Sequence, residues 1–312
     1  MLNYESISEL WKTAEAQHVP VSALVLEDQA AQLEQPQEAL IRQMEQNLTV
    51  MLEAIENGSK ADVKSTSGLT GGDAYKLKRT IDEGKHLCGD LISNAIQMAV
   101  AVSEINAAMG KIVAAPTAGS CGILPGALGA LLKVAGVPRD KAVLSLFTAG
   151  AVGMVVANKA SIAGASGGCQ AECGTASAMA AACIVELMGG TPEMISHAIA
   201  ITIKCILGLV CDPVAGLVEI PCIKRNASGV TLAFTAAEMA LAGIKSAIPA
   251  DETIEALKRV GDGLPASLRE TAEGGLAVTP SGQAFTKQVF GTRSGVSACS
   301  TCGSCGSCGG CG

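Results

Sequence analysis

The sequence predicts a mainly α-helical protein, a helical bundle with Gly/Pro-rich loops that hold its chemistry, and three observations point that way. Hydrophobic residues make up 49% of the chain while aromatic ones make up 2%, so the interior must be built from Ala, Leu, Ile, Val and Met. Thirty-six glycines accompany them, a mixture that suits helices packed closely on small residues better than a sandwich of aromatic and β-branched strands. Apolar residues recur at spacings of three and four over long segments, whereas period-two alternation is weak throughout. At 312 residues with 16% charged, the chain can bury a sizeable core. It reads as an N-terminal helical segment packed on the body (1–60), the body itself (61–291) and a flexible Gly/Ser/Cys tail (292–312).

Ser6 and Glu9 have capping-box spacing and open a short helix through Trp11. A second helix starts near Pro36, stops at Gly58 and sets Leu40, Met44, Leu48, Met51, Leu52 and Ile55 on one face. Neither carries evident chemistry. Ser65 to Asp73 (STSGLTGGD) is a loop, followed by helices over Ala74–Glu83 and Leu91–Met109. Ala115 to Gly126 (APTAGSCGILPG) is too rich in Gly and Pro for regular structure. Helical patterns resume around Leu131 and Lys141. Ala163 to Gly174 (AGASGGCQAECG) is a third loop, leading into Ala176–Met188, apolar on nearly every face and therefore buried. Thr191-Pro192 begins a helix to about Leu207. Pro213 and Pro221 then restrain a turn-rich segment holding Cys211 and Cys222, and helices at about Gly229–Ala242 and Asp251–Val260 close the body.

A net charge of −7 and a pI near 5.1 leave no basic footprint for nucleic acid. The N-terminus has Glu5 and Glu9 where a signal peptide would be basic, so a cytoplasmic protein is expected. The apolar stretches 112–132 and 142–158 are broken by Pro, Gly and polar residues and read as core helices, so no membrane partner is expected. Thirteen cysteines, an odd number in a reducing compartment, argue for metal or cluster chemistry over disulfides.

Cys169, Cys211 and Cys222 each lie in a Gly- or Pro-punctuated loop, where an irregular backbone can turn thiolates toward a common point. Thiolate is the soft ligand of iron–sulfur clusters. The separations match no compact motif, and buried structural cysteine remains the alternative reading of the residues alone. The same holds for Cys121 and Cys173, read as buried thiols. Ser65, Ser67 and Thr70 in one loop and Thr117 and Ser120 in another offer hydroxyls and N–H groups suited to a substrate carboxylate, with Gly allowing close approach, the alternative being Gly-rich turns that merely connect helices. Lys64 and Lys111 can neutralise substrate charge, and Asn158, Ser161 and Ser166 are lesser candidates. His18, His86 and His197 read as surface or packing residues, so no catalytic base is identified. No Gly-rich phosphate cradle pairs with a lysine, and pyridoxal phosphate is not expected.

The segments TSGLTGGDA, NAAMGKIVAAPTAGSCGILPG, GASGGCQAE and LGLVCDPVAGLVEIPCIKRNA resemble the α chain of the bacterial iron–sulfur L-serine dehydratases, and the likeness runs to about Phe290. The resemblance implies that 61–291 is a cluster-binding catalytic domain in which Cys169, Cys211 and Cys222 hold a 4Fe–4S cluster. It further implies that the cluster's open iron acts as Lewis acid in converting L-serine to pyruvate and ammonia. In split enzymes of this family a β chain carries a Ser-Ser-Ser-His-Thr loop. That loop is absent here, so a β partner supplying the base, in an oligomer of α–β pairs, is expected. L-cysteine desulfidase is the neighbouring alternative within enzymes, and a non-catalytic iron–sulfur or zinc protein is the alternative outside them. The tail departs from the family's usual end: its cysteines at 299, 302, 305, 308 and 311 recur every third residue. Three roles stand open for it, namely Cys311 folding back as a resting-state fourth ligand, metal binding, or no site at all.

Overall fold

Every regular element among the described residues, 4–291 of a computed structural model, is helical. The nearest approach to strand pairing is one parallel bridge between Cys211 and Arg269. The tail at 292–312 and the expectation placed on Cys311 lie outside the described residues.

Three helices begin the chain: α1 (Ile7–Gln17), α2 (Val21–Leu33) and α3 (Gln37–Gly58). Ser6 Oγ accepts the Glu9 N–H at 2.9 Å as the capping box requires. The reciprocal bond goes one residue astray, because the Glu9 carboxylate takes the N–H of Glu5 at 3.0 Å. Helix α2, not anticipated from sequence, buries only its first turns, through Val21, Leu24, Val25 and Leu26, so it lacks a continuous apolar stripe. Helix α3 buries Leu40, Leu48, Met51 and Ile55 along the expected face. Its last residue, Gly58, lies against the backbone of Ala101, where any Cβ would collide. The apolar residues of these helices join the same buried cluster as those of the body.

Helices α4 (Asp73–Asp82) and α5 (Gly89–Ala107) pack together. The buried Glu104 of α5 accepts the first N–H groups of α4, Asp73 at 2.8 Å and Ala74 at 3.2 Å, satisfying donors that a helix start leaves open. Regular structure begins earlier than expected after the APTAGSCG loop: α6 (Ile123–Ala130) includes Pro125, which the first turn accommodates because its N–H would be unpaired anyway. Helix α6 lies close on α5, with the position of a Cβ on Gly126 only 2.8 Å from Ala95 O. After α7 (Arg139–Lys159) the expected AGASGGCQAECG loop is partly wound, into the turn α8 (Gly164–Gly167) and a wide turn over Gln170–Gly174 that continues into α9 (Thr175–Leu187).

Helix α9 is the centre of the molecule. Residues 175–185 are all buried, surrounded by α6, α7, α10 (Pro192–Ile206) and α11 (Cys222–Leu241), which explains an apolar pattern on every face. Helix α11 begins seven residues before the predicted start near Gly229, so Cys222 occupies its first position. Helices α12 (Ala250–Gly263) and α13 (Pro280–Phe290) complete the chain. The stretches Ala118–Ala135 and Arg139–Lys159 are long and apolar enough to cross a membrane by length and composition, and 72% and 67% of the 18-residue apolar window in each is buried in this fold.

Candidate functional site

Cys169, Cys211 and Cys222 are brought into one buried neighbourhood by three backbone devices. Gly168, at φ +75°, turns the chain just before Cys169, and a side chain there would run into Leu264 Cδ1 at 2.6 Å. Cys211 is pinned on both sides, its N–H to Leu268 O at 2.9 Å and its carbonyl to Glu270 N at 2.8 Å. Pro221 ends the intervening turn and presents Cys222 at the N-terminus of α11. The cysteines are 3%, 3% and 8% exposed, respectively, so bulk water scarcely reaches them.

Polar side chains staple these loops together. Gln170 accepts Gly208 N–H at 2.9 Å and donates to Leu257 O at 2.9 Å, joining the Cys169 turn to the segment before Cys211 and to α12. The buried Asn226 accepts Gly122 N–H at 2.9 Å while its amide donates to Gly119 O at 2.8 Å and Cys222 O at 2.9 Å. That single amide ties the APTAGSCG loop to the start of α11, with its hydrogen-bonding capacity nearly filled.

The charges follow from the same packing. Burial pushes Cys222 up to about 12 and raises Cys211 as well, by burial and then by the neighbouring Cys169. Cys169 moves the other way, first through its hydrogen bond with Cys173 and then through the Arg225 guanidinium. The two sulfurs lie 3.4 Å apart, and that contact, followed by burial, raises Cys173 well above the usual thiol range. Arg225 is itself largely buried and anchored at 2.8 Å to Asp212 and 2.9 Å to Val210 O. Asp212 also accepts Leu276 N–H at 2.8 Å, fastening the C-terminal segment to the Cys211 turn. Among the described residues no three His, Cys, Asp or Glu side chains close on one point as a single ion would need. A multi-iron cluster makes a different demand, since each thiolate binds its own iron. Three buried soft donors from separate segments, with Arg225 beside two of them, suit that demand.

The hydroxyl loops lie where expected but hold internal carboxylates. Ser67 Oγ and Thr70 Oγ1 both donate to Glu219 Oε2, at 2.9 and 2.7 Å. Ser65 lies 3.2 Å from Ser67 and accepts Thr70 N–H, shaping the loop from within. In the second loop Thr117 donates to Glu172 Oε1 at 2.9 Å, with Ser120 at 3.2 Å from Thr117. Burial raises the pKa of Glu172, with the Thr117 hydroxyl and the Gly164 backbone pulling the other way. Glu172, Glu219, Arg225, Asn226 and Gln170 escaped the sequence reading. Their signal was present: charged or amide residues embedded in apolar, Gly/Pro-punctuated segments need buried partners.

Lys64 lines a cleft of about 480 Å³ with Thr70, Asp73, Lys76 and Lys224, at the mouth of the first hydroxyl loop. Lys111 borders a groove made by α3. Ser161 accepts the Ala163 N–H at 3.1 Å, Ser166 lies in α8, and Asn158 is an exposed residue of α7. His86 lies 2.9 Å from Asp90 and His197 3.5 Å from Glu193, while His18 ends α1 in the left-handed conformation. Cys121 is fully buried, and its thiol is pushed up to about 12.

Residues 16–277 match the family described as serine dehydratase alpha chain. The chain is 51% identical to a probable L-serine dehydratase alpha chain of Bacillus subtilis over 92% of its own length and 96% of that protein. It is 44% identical to the L-serine dehydratase alpha chain of Peptoniphilus asaccharolyticus, over 85% and 91% of the two chains. It is 37% identical to a longer L-serine dehydratase of Streptomyces coelicolor, over 86% of this chain but 60% of that protein.

Proposed function

This chain belongs to the serine dehydratase alpha-chain family, and from that premise we propose that it is the cluster-bearing subunit of an L-serine dehydratase that releases pyruvate and ammonia. The observation that carries the proposal is the meeting of Cys169, Cys211 and Cys222, buried and from three separate segments, with Arg225 beside Cys169 and Cys222.

Cys169, Cys211 and Cys222 would hold a 4Fe–4S cluster. When bound, it supplies an iron without a protein ligand, a Lewis acid that makes the substrate hydroxyl a better leaving group. The chain's own residues prepare the surroundings. Arg225 offsets thiolate charge, and Asp212 keeps its guanidinium in place. Burial of the three cysteines keeps water away, which strengthens every electrostatic contact there. Asn226 and Glu219 fix the two hydroxyl loops against the Cys222 helix, an arrangement in which positioning is inherited from the fold.

The proton at the substrate α-carbon needs a base within hydrogen-bond reach. The three histidines are engaged elsewhere or cap a helix. A β chain would bring that base, in α–β pairs within the cytoplasm. The relatives named alpha chain are matched over nearly their whole length, whereas the longer Streptomyces coelicolor protein extends well beyond the match. That difference supports a division of one enzyme between two chains.

The test is pyruvate formation from L-serine by anaerobically reconstituted protein, with and without a co-expressed β chain, while the visible iron–sulfur absorbance is followed. Loss of both absorbance and pyruvate in Cys211→Ala, with both retained in Cys183→Ala on α9, supports the reading. A cluster that forms while neither L-serine nor L-cysteine is turned over with the β chain present would overturn it, and faster turnover of L-cysteine would make the enzyme a desulfidase.

A further inference from the structure

We propose that Cys169 and Cys173 form a reversible disulfide when the protein is oxidised without its cluster, so that the turn carrying one proposed iron ligand is also a redox modification site. The disulfide itself is independent of the dehydratase reading. Its consequence, the sheltering of a ligand, rests on the cluster assigned to Cys169.

A contact between sulfurs carries the proposal. Cys169 Sγ and Cys173 Sγ lie 3.4 Å apart, the one hydrogen-bonding contact between cysteine sulfurs among the described residues. Cys183 turns instead to Ser145 O at 3.0 Å, and Cys88 and Cys205 are exposed on the surface.

The backbone makes the pairing local. Cys169 immediately precedes the wide turn Gln170–Gly174, and Cys173 lies within it. Residues four apart in a helical winding share one face, so neither side chain has to swing round to meet the other. A disulfide holds its sulfurs at about 2.05 Å, which asks the turn to draw this pair together by about 1.4 Å. Gly168, at φ +75°, and Gly174 bracket the pair, and glycine takes up a small change of dihedral at low steric cost.

Both thiols are buried, at 3% and 1% exposure, and a buried structural thiol is ordinarily inert. An oxidant that destroys a cluster, however, acts among the cluster's own ligands. With hydrogen peroxide as that oxidant, the Cys169 thiol gives a sulfenic acid and one water. The Cys173 sulfur then attacks the sulfenic sulfur: the S–S bond forms, the S–O bond breaks, and the hydroxyl leaves as a second water with the Cys173 proton. Two thiols are oxidised, and one peroxide is reduced to two waters. At 3.4 Å the second step starts from near-attack distance. It competes with further oxidation of Cys169 to sulfinic acid, which thiols do not reverse, whereas the disulfide is opened by thiol exchange.

The experiment treats the full-length apoprotein with hydrogen peroxide, alkylates the remaining thiols and digests with a glutamate-specific protease, which cuts between the two cysteines after Glu172. Mass spectrometry is expected to find two fragments joined through Cys169 and Cys173 that separate on reduction, with Cys183 alkylated. Dithiothreitol followed by reconstitution should restore the cluster absorbance of the wild-type chain. Cys173→Ala should form its cluster before oxidation, and after peroxide it should lose the absorbance that dithiothreitol restores in the wild type, with Cys169 recovered as sulfinic acid. Cys183→Ala, the control, should recover as the wild type does. Cys169 joined to Cys211 or Cys222, or present as sulfinic acid in the wild-type chain, would overturn the proposal, as would full recovery of Cys173→Ala. The wild-type fragment map decides the matter even where the variant fails to fold. A chain that shows the disulfide but never takes up a cluster would keep the modification site and remove the cluster reading.

Discussion

At Ser67 and Thr70 two hydroxyls close on a single oxygen of Glu219, a residue only 5% exposed. At Thr117 one hydroxyl touches Glu172, and the Gly119 and Gly164 backbones lie close against that carboxylate. The loops are alike in composition, and each holds a carboxylate three residues from a proposed cluster ligand. In the first, the donors and the burial are spent on one internal contact, which makes Glu219 a joint between loop and helix. In the second, a single hydroxyl meets the carboxylate and glycine backbone closes on it from two sides. Hydroxyl-rich loops in a sequence therefore announce a negatively charged partner, and in both loops here that partner is a carboxylate of the protein itself.

The strongest way to break this comparison is to remove the joint. Glu219→Ala leaves the Ser67 and Thr70 hydroxyls without their shared acceptor and releases the 65–73 loop from the turn that leads into Cys222. The expected loss is about 3 kcal/mol of stability, from two charge-assisted hydrogen bonds in a buried setting. Thermal melting of the apoprotein measures it, and cluster absorbance after reconstitution should fall along with it. Glu219→Gln, which keeps an acceptor oxygen, should recover more than half of both. If Glu219→Ala melts like the parent, the joint is not there and the two loops are equivalent.

Asn226→Ala sharpens the same comparison on the other loop. It strips Gly122 N–H of its acceptor, and Gly119 O and Cys222 O of a donor, inside the fold. A cost of about 2 kcal/mol is expected, because the groups left behind are buried and unpaired. Chemical denaturation with an unchanged m-value would attribute the loss to the native state. Near-parental stability would show that the 117–122 loop is held by its backbone alone.

Legibility in the sequence divides along the same physical line. The fold class was readable because Leu40, Leu48, Met51 and Ile55 repeat with helical spacing and because 176–188 is apolar all round, and burial of apolar faces is what those patterns encode. The start of α11 was missed because its first turn reads Ile-Lys-Arg-Asn. Arg225 and Asn226 are turned inward for polar reasons, to Asp212 and to the 119–122 backbone, and hydrophobic periodicity is blind to that. Helix α2 escaped because only its first turns are buried. The candidate serines and threonines were placed on the right loops, yet Glu172 and Glu219, which organise them, were overlooked because their partners are 55 and about 150 residues away in sequence. Long-range polar pairing leaves no local period to detect.

The smallest effect expected concerns a half-buried carboxylate remote in role from Glu172 and Glu219. Glu186 on α9 accepts Ser22 N–H at 3.1 Å and the Thr148 hydroxyl at 2.8 Å, joining α2 and α7 to the central helix. Burial raises its pKa above the ordinary value of 4.5, with the Ser22 and Thr148 bonds pulling in the opposite direction. The folded protein thus binds this proton more tightly than the unfolded chain does. Stability contributed by the protonated form is fully present below the unfolded value and is lost as pH rises through the raised folded value. A tenfold tighter hold on the proton corresponds to about 1.4 kcal/mol. Glu186→Gln, neutral at every pH, should therefore flatten the fall in melting temperature between pH 4.5 and neutrality, and at neutral pH it should match or modestly exceed the parent. A steeper fall in the variant would mean that the Ser22 and Thr148 bonds need the charge, which would place Glu186 with Glu219 as a joint whose ionised form holds helices together.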